Sequence, residues 1–317
     1  MKYIEKFEIG IIYEHPEWHL PLFNALDDAK VSYTKIDLKK GAFAEGKLPI
    51  AKLYYNLVSP SANLRGNQRA IPFANAVCKN LESMGYAVLN GSKSIALEMS
   101  KSSQLFLLSK LGIDHPRSIV FNDTDELKKT SGSFNFPMIL KPEQGGSGSR
   151  MYLCNSIEEI MNLLDTNPQL WLPDNLLILQ EYLQNDKSFG IVRLEYLGSR
   201  LLYAMRVVTH GAFNICPSVV CNPEDGAEGN CEIDSNIKPE FYPYPEVPKE
   251  AVAAGREIIA AAGHNIGSVE YLETQDGRRV FYDINSNSNL RESVASTFGI
   301  KPFKEVVEYL ISQMVKE

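Results

Sequence analysis

Glu270 in the run VEYLET and Asp283 in VFYDIN stand on either side of the turn signal TQDGRR. Asp-Gly is a favoured two-residue hairpin turn. A hairpin closed by Asp276 and Gly277 sets Glu270 directly opposite Asp283, and Asn285 shares the face of Asp283 because strand side chains alternate. Like charges opposed on a sheet repel, so the pair asks for a cation. Oxygen ligands of this kind suit magnesium, which takes one or two carboxylates and completes its shell with water and nucleotide phosphates. The alternative is a pair of solvated strand acids. The repulsion further predicts that Asp283→Asn abolishes metal-dependent turnover yet leaves the metal-free protein as stable as before, or more so.

A second chemistry-bearing stretch is LKPEQGGSGSR, residues 140–150, in which Lys141 ends the apolar run FPMIL. Gly145, Gly146, Ser147 and Gly148 offer backbone N–H groups to an anion with no bulky side chain in the way. A plain flexible turn accounts for them equally well, and GxxxxGK[ST] is missing. Arg206 sits within the apolar run YAMRVV, where an unpaired cation is costly, so an anionic partner is expected, either a substrate or an internal carboxylate. Arg291 in SNLRES is a solvated helix-start arginine or a bidentate clamp for a carboxylate. His15, Trp18 and His19 follow the first strand, at the end where α/β sheets place ligands. Asn56, Ser59, Ser61 and Arg65 in YNLVSPSANLR follow another strand; substrate contact and local packing or capping are both open for these two groups. His210 in VVTHGAFN could act as a base toward an amine. Cys216, Cys221 and Cys231 lie close together, but no CxxC pair or matching histidine spacing supports zinc, and buried thiols are the alternative.

These residues need elements to hold them. FEIGIIY and VSYTKIDL have strand composition, and the apolar spacing of LPLFNALDDA between them is helical, which makes a βαβ unit. LYYNLV, a helix around FANAVCKNLESMG and the short strand AVLNG extend it into an α/β domain with a parallel sheet and no GxGxxG fingerprint. One long helical region, SIALEMSKSSQLFLLSKLG, leads into a small α+β unit: PRSIVF, a helix around DTDELKK, FPMILKP, RMYLC, SIEEIMNLLD and LLILQEYL. In SIEEIMNLLD, Ser156 and Glu159 have capping-box spacing. FGIVRLEYLG and RLLYAMRVV pair through a tight turn at Gly198 and Ser199. A Pro- and acid-rich loop, the helix KEAVAAGREIIAAAG, the two acidic strands and the helix FKEVVEYLISQMV complete the chain.

With 317 residues the chain exceeds one ordinary core, so two or three domains are expected. A net charge of −7 excludes a broadly basic surface for nucleic acid or anionic membrane. No apolar run is long enough to span a bilayer, MKYIEKFEIG is not a signal peptide, and five cysteines without a pairing framework suit reduced thiols, so a cytoplasmic protein is expected.

The order Lys101, Lys141, glycine-rich loop, LQEYL, then VEYLET and VFYDINSNSN resembles the ATP-grasp superfamily, and the run IVRLEYLGSRLLYAMRV resembles its alpha-L-glutamate ligase-like branch. The resemblance covers most of the chain. It implies an ATP-grasp fold with an N-terminal Rossmann-like α/β domain over residues 1–97, a small α+β lid over 98–182 and a C-terminal domain over 183–317. It places Lys101 and Lys141 on nucleotide phosphates, Glu181 on the adenine amino group, and Tyr182 and Leu183 in the hinge. Glu270, Asp283 and Asn285 match the ligands of two magnesium ions, for which manganese could substitute. Members carry an arginine where Arg206 stands. Two departures are visible: Arg150 replaces a glycine or small residue and could bring a cation to phosphates or substrate, and GIVR replaces an Asp-Arg element, which leaves Arg193 without a carried-over role. The implied reaction joins a small carboxylate to an amino acid-like amine through an acyl phosphate and releases ADP and phosphate. A regulatory ATP-binding module on the same fold is the alternative, and an acyl-CoA or phosphotransfer enzyme is disfavoured by the absence of a histidine in a glycine-rich helix-start setting. The substrates are not specified by the sequence, and a homodimer is neither required nor excluded.

Overall fold

The computed structural model describes residues 7–43, 48–144, 150–209, 239–288 and 290–314. The chain begins with the expected βαβ unit, β1 (Phe7–Tyr13), α1 (Leu20–Asp28) and β2 (Tyr33–Asp37), followed by β3 (Ala51–Asn56), α2 (Ala70–Ser83) and β4 (Ala87–Leu89). These four strands run parallel in the order β2-β1-β3-β4.

The stretch expected as one long helix is two, α3 (Ser92–Glu98) and α4 (Lys101–Lys110). The break has a local cause: Ser100 is extended, and its side chain accepts from the Ser103 N–H as an N-cap. Lys101 thereby opens a new helix instead of lying mid-helix.

A second sheet follows from β5 (Ser118–Phe121), α5 (Thr124–Thr130), β6 (Met138–Pro142), β7 (Tyr152–Cys154), α6 (Ile157–Thr166) and β8 (Leu177–Glu181), antiparallel in the order β5-β8-β6-β7. Asp123 and Ser156 cap α5 and α6. Glu159 bonds the Asn155 N–H at 2.6 Å, one residue before the expected capping-box partner.

The third sheet is antiparallel, ordered β11-β10-β9-β12-β13. Its strands are β9 (Ile191–Leu197), β10 (Arg200–Val208), β11 (Glu240–Pro243), β12 (Ile266–Glu273) and β13 (Arg279–Asn285), with α7 (Lys249–Ala262), α8 (Glu292–Ala295) and α9 (Pro302–Met314). β11 was not expected, since it lies in the Pro- and acid-rich segment read as loop. Its edge position and its pairing with β10 supply what its composition lacks. The two-residue Asp-Gly turn is corrected as well. Glu273 pairs with Arg279, so the loop holds five residues, and the Thr274 N–H donates to the Arg278 carbonyl at 3.0 Å. A β-bulge beyond Glu270 shifts the register back, and Glu270 still faces Asp283.

The first and third sheets share a core in which Tyr55 and Leu57 meet Met205, Val207 and Leu310 of α9. The second sheet has its own core, built with Leu127 of α5 and Ile160 and Leu164 of α6.

Candidate active site

The centre of the site is a row of side chains running across the third sheet. β9, β12 and β13 pair so that Arg193 lies beside Glu270 and Glu270 beside Asp283. Arg193 Nη1 donates to Glu270 Oε1 at 2.8 Å, and its Nε donates to Glu195 Oε1 at 2.8 Å. Tyr282 donates its hydroxyl to Glu270 Oε2 at 3.0 Å. At the far end Lys101 Nζ forms an ion pair with Asp283 Oδ1, and Asn285 Nδ2 donates to Asp283 Oδ2 at 3.0 Å. The row therefore reads cation, carboxylate, carboxylate, cation. The repulsion inferred from the sequence is offset by two side chains, Arg193 and Lys101, so the expectation that Asp283→Asn would relieve strain does not hold.

Burial sets the electrostatics. It pushes the Glu270 carboxyl up to about 7 against the pull of Arg193. Asp283 is partly buried and penalised in the same direction, but Lys101 holds it below the usual carboxylate range. Arg193 is desolvated too, and Glu195 and Glu270 nonetheless keep it firmly charged. Lys141, 9% exposed, donates to Gln180 Oε1 at 2.7 Å; burial, with Lys101 adding repulsion, brings its ammonium down to about 8.

These groups face a cavity of about 350 Å³ walled by all three sheets. Of the residues singled out from the sequence, Lys101, Lys141, Glu181, Tyr182, Leu183, Glu270, Asp283, Asn285 and Arg291 line it, together with Trp18, His19, Ser59 and Ser61. Glu181 also fixes β8 to the next edge, since its Oε1 accepts the Arg117 N–H at 2.8 Å. Gly145, Gly146, Ser147, Gly148, His210, Cys216, Cys221 and Cys231 lie outside the described residues.

Other expected site residues are employed elsewhere. Arg206 falls on the opposite face of β10 from Met205 and Val207, and its guanidinium lies over Phe189 and Tyr242, with ring centroids 5.0 and 5.5 Å away. Among the described residues, aromatic faces accommodate the cation there in place of the anion expected from an apolar strand. Arg65 pairs with the buried carboxylate of Glu14, donates to Ser61 Oγ at 2.9 Å and stacks 4.2 Å over Trp18. His15 packs against the same indole, with ring centroids 5.1 Å apart. Asn56 is buried; its Oδ1 accepts the Val58 N–H and its Nδ2 donates to the Asn90 carbonyl. Arg150 braces the ends of the glycine-rich stretch by donating to the carbonyls of Leu172 at 2.7 Å and Gln144 at 2.9 Å. Its φ of 56° is left-handed, a conformation that glycine adopts without strain.

Three residues that the sequence reading passed over, and Arg193, which it left without a role, also matter here. Arg193 and Tyr282 flank Glu270, Gln180 holds Lys141, and Glu98 lines the cavity while bonding Ser286 Oγ. Arg193 and Glu195 alternate on one strand face, a visible signal, but their partner Glu270 is far away in sequence. Among the described residues there is no group of three or more His, Cys, Asp or Glu that could hold a metal. Two carboxylates and an amide oxygen nevertheless form the small oxygen donor set that magnesium accepts when phosphates and water complete its shell.

Residues 96–215 match the family model described as RimK-like ATP-grasp domain. The chain carries an ATP-grasp domain. A protein of Shewanella amazonensis named "Probable alpha-L-glutamate ligase 2" is 26% identical over 272 residues, covering 80% of this chain and 81% of that protein. The ATP-grasp ligase PsnB, solved with its minimal precursor, superposes with a TM-score of 0.68 at 18% identity over 98% of this chain and all of that one. D-alanine–D-alanine ligase from Bacillus anthracis, solved with ATP, superposes at 0.69 with 16% identity over 98% and 97%. These superpositions establish the ATP-grasp fold. No helix of the described residues is long and apolar enough to cross a membrane.

Proposed function

We propose that the chain joins a carboxylate to an amine with ATP, through an acyl phosphate. The observation that carries this reading is the row of Arg193, Glu270, Asp283 and Lys101 opening onto a cavity that Lys141 also faces, within an ATP-grasp domain. ATP and a carboxylate are both anions, and bringing them together needs concentrated positive charge. Lys101 and Lys141 supply it to the phosphates. Glu181, Tyr182 and Leu183, at the end of β8, receive the adenine. Glu270, Asp283 and Asn285 would hold magnesium, two ions in our reading with manganese able to substitute; the metal adds neutralisation of phosphate charge when bound. A carboxylate oxygen attacks the γ-phosphorus and ADP leaves; the amine nitrogen then attacks the acyl carbon, phosphate leaves, and one proton is released from nitrogen. Arg291, on the cavity wall, is placed to receive the oxyanion or the substrate carboxylate.

Incubation of the pure protein with ATP, magnesium and pooled amino acids should release ADP and phosphate together with a condensed product. AMP and pyrophosphate, or no amino acid-dependent turnover, would contradict the reading.

A further inference from the structure

Resting on the ligase reading, we propose that the amino acid received by this cavity carries an apolar side chain. The row through Arg193, Glu270 and Asp283 continues on its other side into Met205, which pairs with Arg193 across β9 and β10. Asp283 and Met205 thus sit on one sheet face three strands apart, roughly 14 Å at ordinary strand spacing. The face is charged at the Lys101 end and apolar at the Met205 end. Val207 follows two residues on and pairs with Phe241 on β11. Leu57 after β3, Leu290, and Phe303 of α9 close the same part of the cavity.

A dicarboxylic or dibasic side chain entering this end would need a charged partner, because an unpaired charge against apolar walls is costly. Among the described residues the charged groups nearest to hand are committed, with Glu195 bonded to Arg193 and Ser288 and Glu98 to Ser286 among the carboxylates. Arg65 is bonded to Glu14 and Ser61. Arg193 lies between Glu195 and Glu270. Arg206 is on the other sheet face. His19 is neutral, since burial, with His15 and Arg65 nearby, brings its imidazole down to about 3. Arg291 sits over the Phe241 ring, its Cζ 3.3 Å from the centroid, at the border of the apolar wall. It suits the α-carboxylate that every amino acid carries, which leaves side-chain selection to the wall. The preference would differ from that named for the glutamate ligase relatives.

The test gives the whole chain ATP, magnesium and single or paired amino acids, including leucine, phenylalanine, valine, glutamate and lysine in both hands. ADP formation is followed kinetically and the product identified by mass spectrometry. The kcat/KM for the best apolar amino acid should exceed that for glutamate and lysine at least about tenfold, the lower range of discrimination by an apolar pocket. Phe303→Ala, at the partly buried edge of the wall, should shift the phenylalanine-to-valine ratio toward phenylalanine. Faster turnover with glutamate or lysine would overturn the apolar assignment and leave the ligase reading standing. An unchanged ratio in a folded Phe303→Ala protein would also overturn it. Absence of ADP with every pair would remove the ligase reading and this inference with it. If Phe303→Ala does not fold, the wild-type ratios decide.

Discussion

Asp283 is held by a lysine and an asparagine before any metal arrives, and this reverses the stability expected of its amide variant. In Asp283→Asn the Lys101 ammonium loses its carboxylate in a poorly solvated setting, where a charge-assisted bond contributes roughly 1.5 to 3 kcal/mol. Urea unfolding without metal should show a loss of on the order of 1–3 kcal/mol, and an unchanged or raised midpoint would refute the pairing. Turnover should vanish as well. Lys141 offers a pH test. Its ammonium is already depressed to about 8 in the free protein by burial and by Lys101. Above that pH the side chain is neutral, so an arriving phosphate must bring a proton with it. Nucleotide affinity measured by calorimetry should therefore fall as pH rises from about 7.5 to about 9.5, by at most about tenfold per pH unit for one proton. Lys141→Arg, charged throughout this range, should flatten the profile; an affinity that is level in the wild type would remove Lys141 from the phosphates.

At the scale of elements, the two lysines depend on how α4 meets β6. Glu143, just beyond β6, accepts the Ser102 N–H at 2.9 Å and the hydroxyls of Ser100 and Ser102 at 2.5 and 2.6 Å, so its carboxylate sits on the N-terminal turn of α4. A negative charge there satisfies orphan N–H groups and complements the helix dipole. Glu143→Ala should cost about 1–3 kcal/mol in unfolding free energy and weaken nucleotide binding further, because Lys101 and Lys141 lose their common tie. Full affinity in a folded variant would show that the tie is dispensable. This contact joins positions about forty residues apart and has no periodic signature, so the sequence could not announce it. What was legible followed local rules: the βαβ opening, the Ser156 cap of α6, and the alternation that puts Asp283 and Asn285 on one face. The opposition of Glu270 and Asp283 was legible only in part, since the turn was taken as two residues and a bulge compensates for the five-residue loop. β11 and the Arg193–Glu270 contact are non-local pairings, invisible to composition. Arg206 misled because an apolar strand suggested an anionic partner, whereas aromatic rings on neighbouring segments receive it.

Across the whole molecule the hydrophobic cores are unequally shared, and this bears on how the cleft responds to ligand. The first and third sheets are joined by one core through Leu57, Met205, Val207 and α9, whereas the second sheet closes around its own core of Leu127, Met138, Ile160 and Leu179. The second sheet nevertheless supplies Lys141, Gln180 and Glu181 to the cavity. Its attachment to the rest passes through polar contacts such as Glu143, just beyond β6, with Ser100 and Ser102 of α4 and Asp114, ahead of β5, with Arg278, more than through shared apolar packing. Cooperative units tend to follow cores, so the segment from β5 to β8 is expected to open at lower free energy than the rest. Native-state hydrogen exchange should show earlier exchange for amides of β5 to β8 than for β9 and β12. Saturating magnesium and ADP, at about a hundredfold over Kd, adds roughly 2.7 kcal/mol to states that retain the site. Because the proposed nucleotide contacts come from both β8 and β13, that increment should appear as slower exchange in the second sheet and narrow the difference between the two regions. Protection confined to the third sheet would mean that the nucleotide does not engage Lys141 and Glu181 together with Asp283.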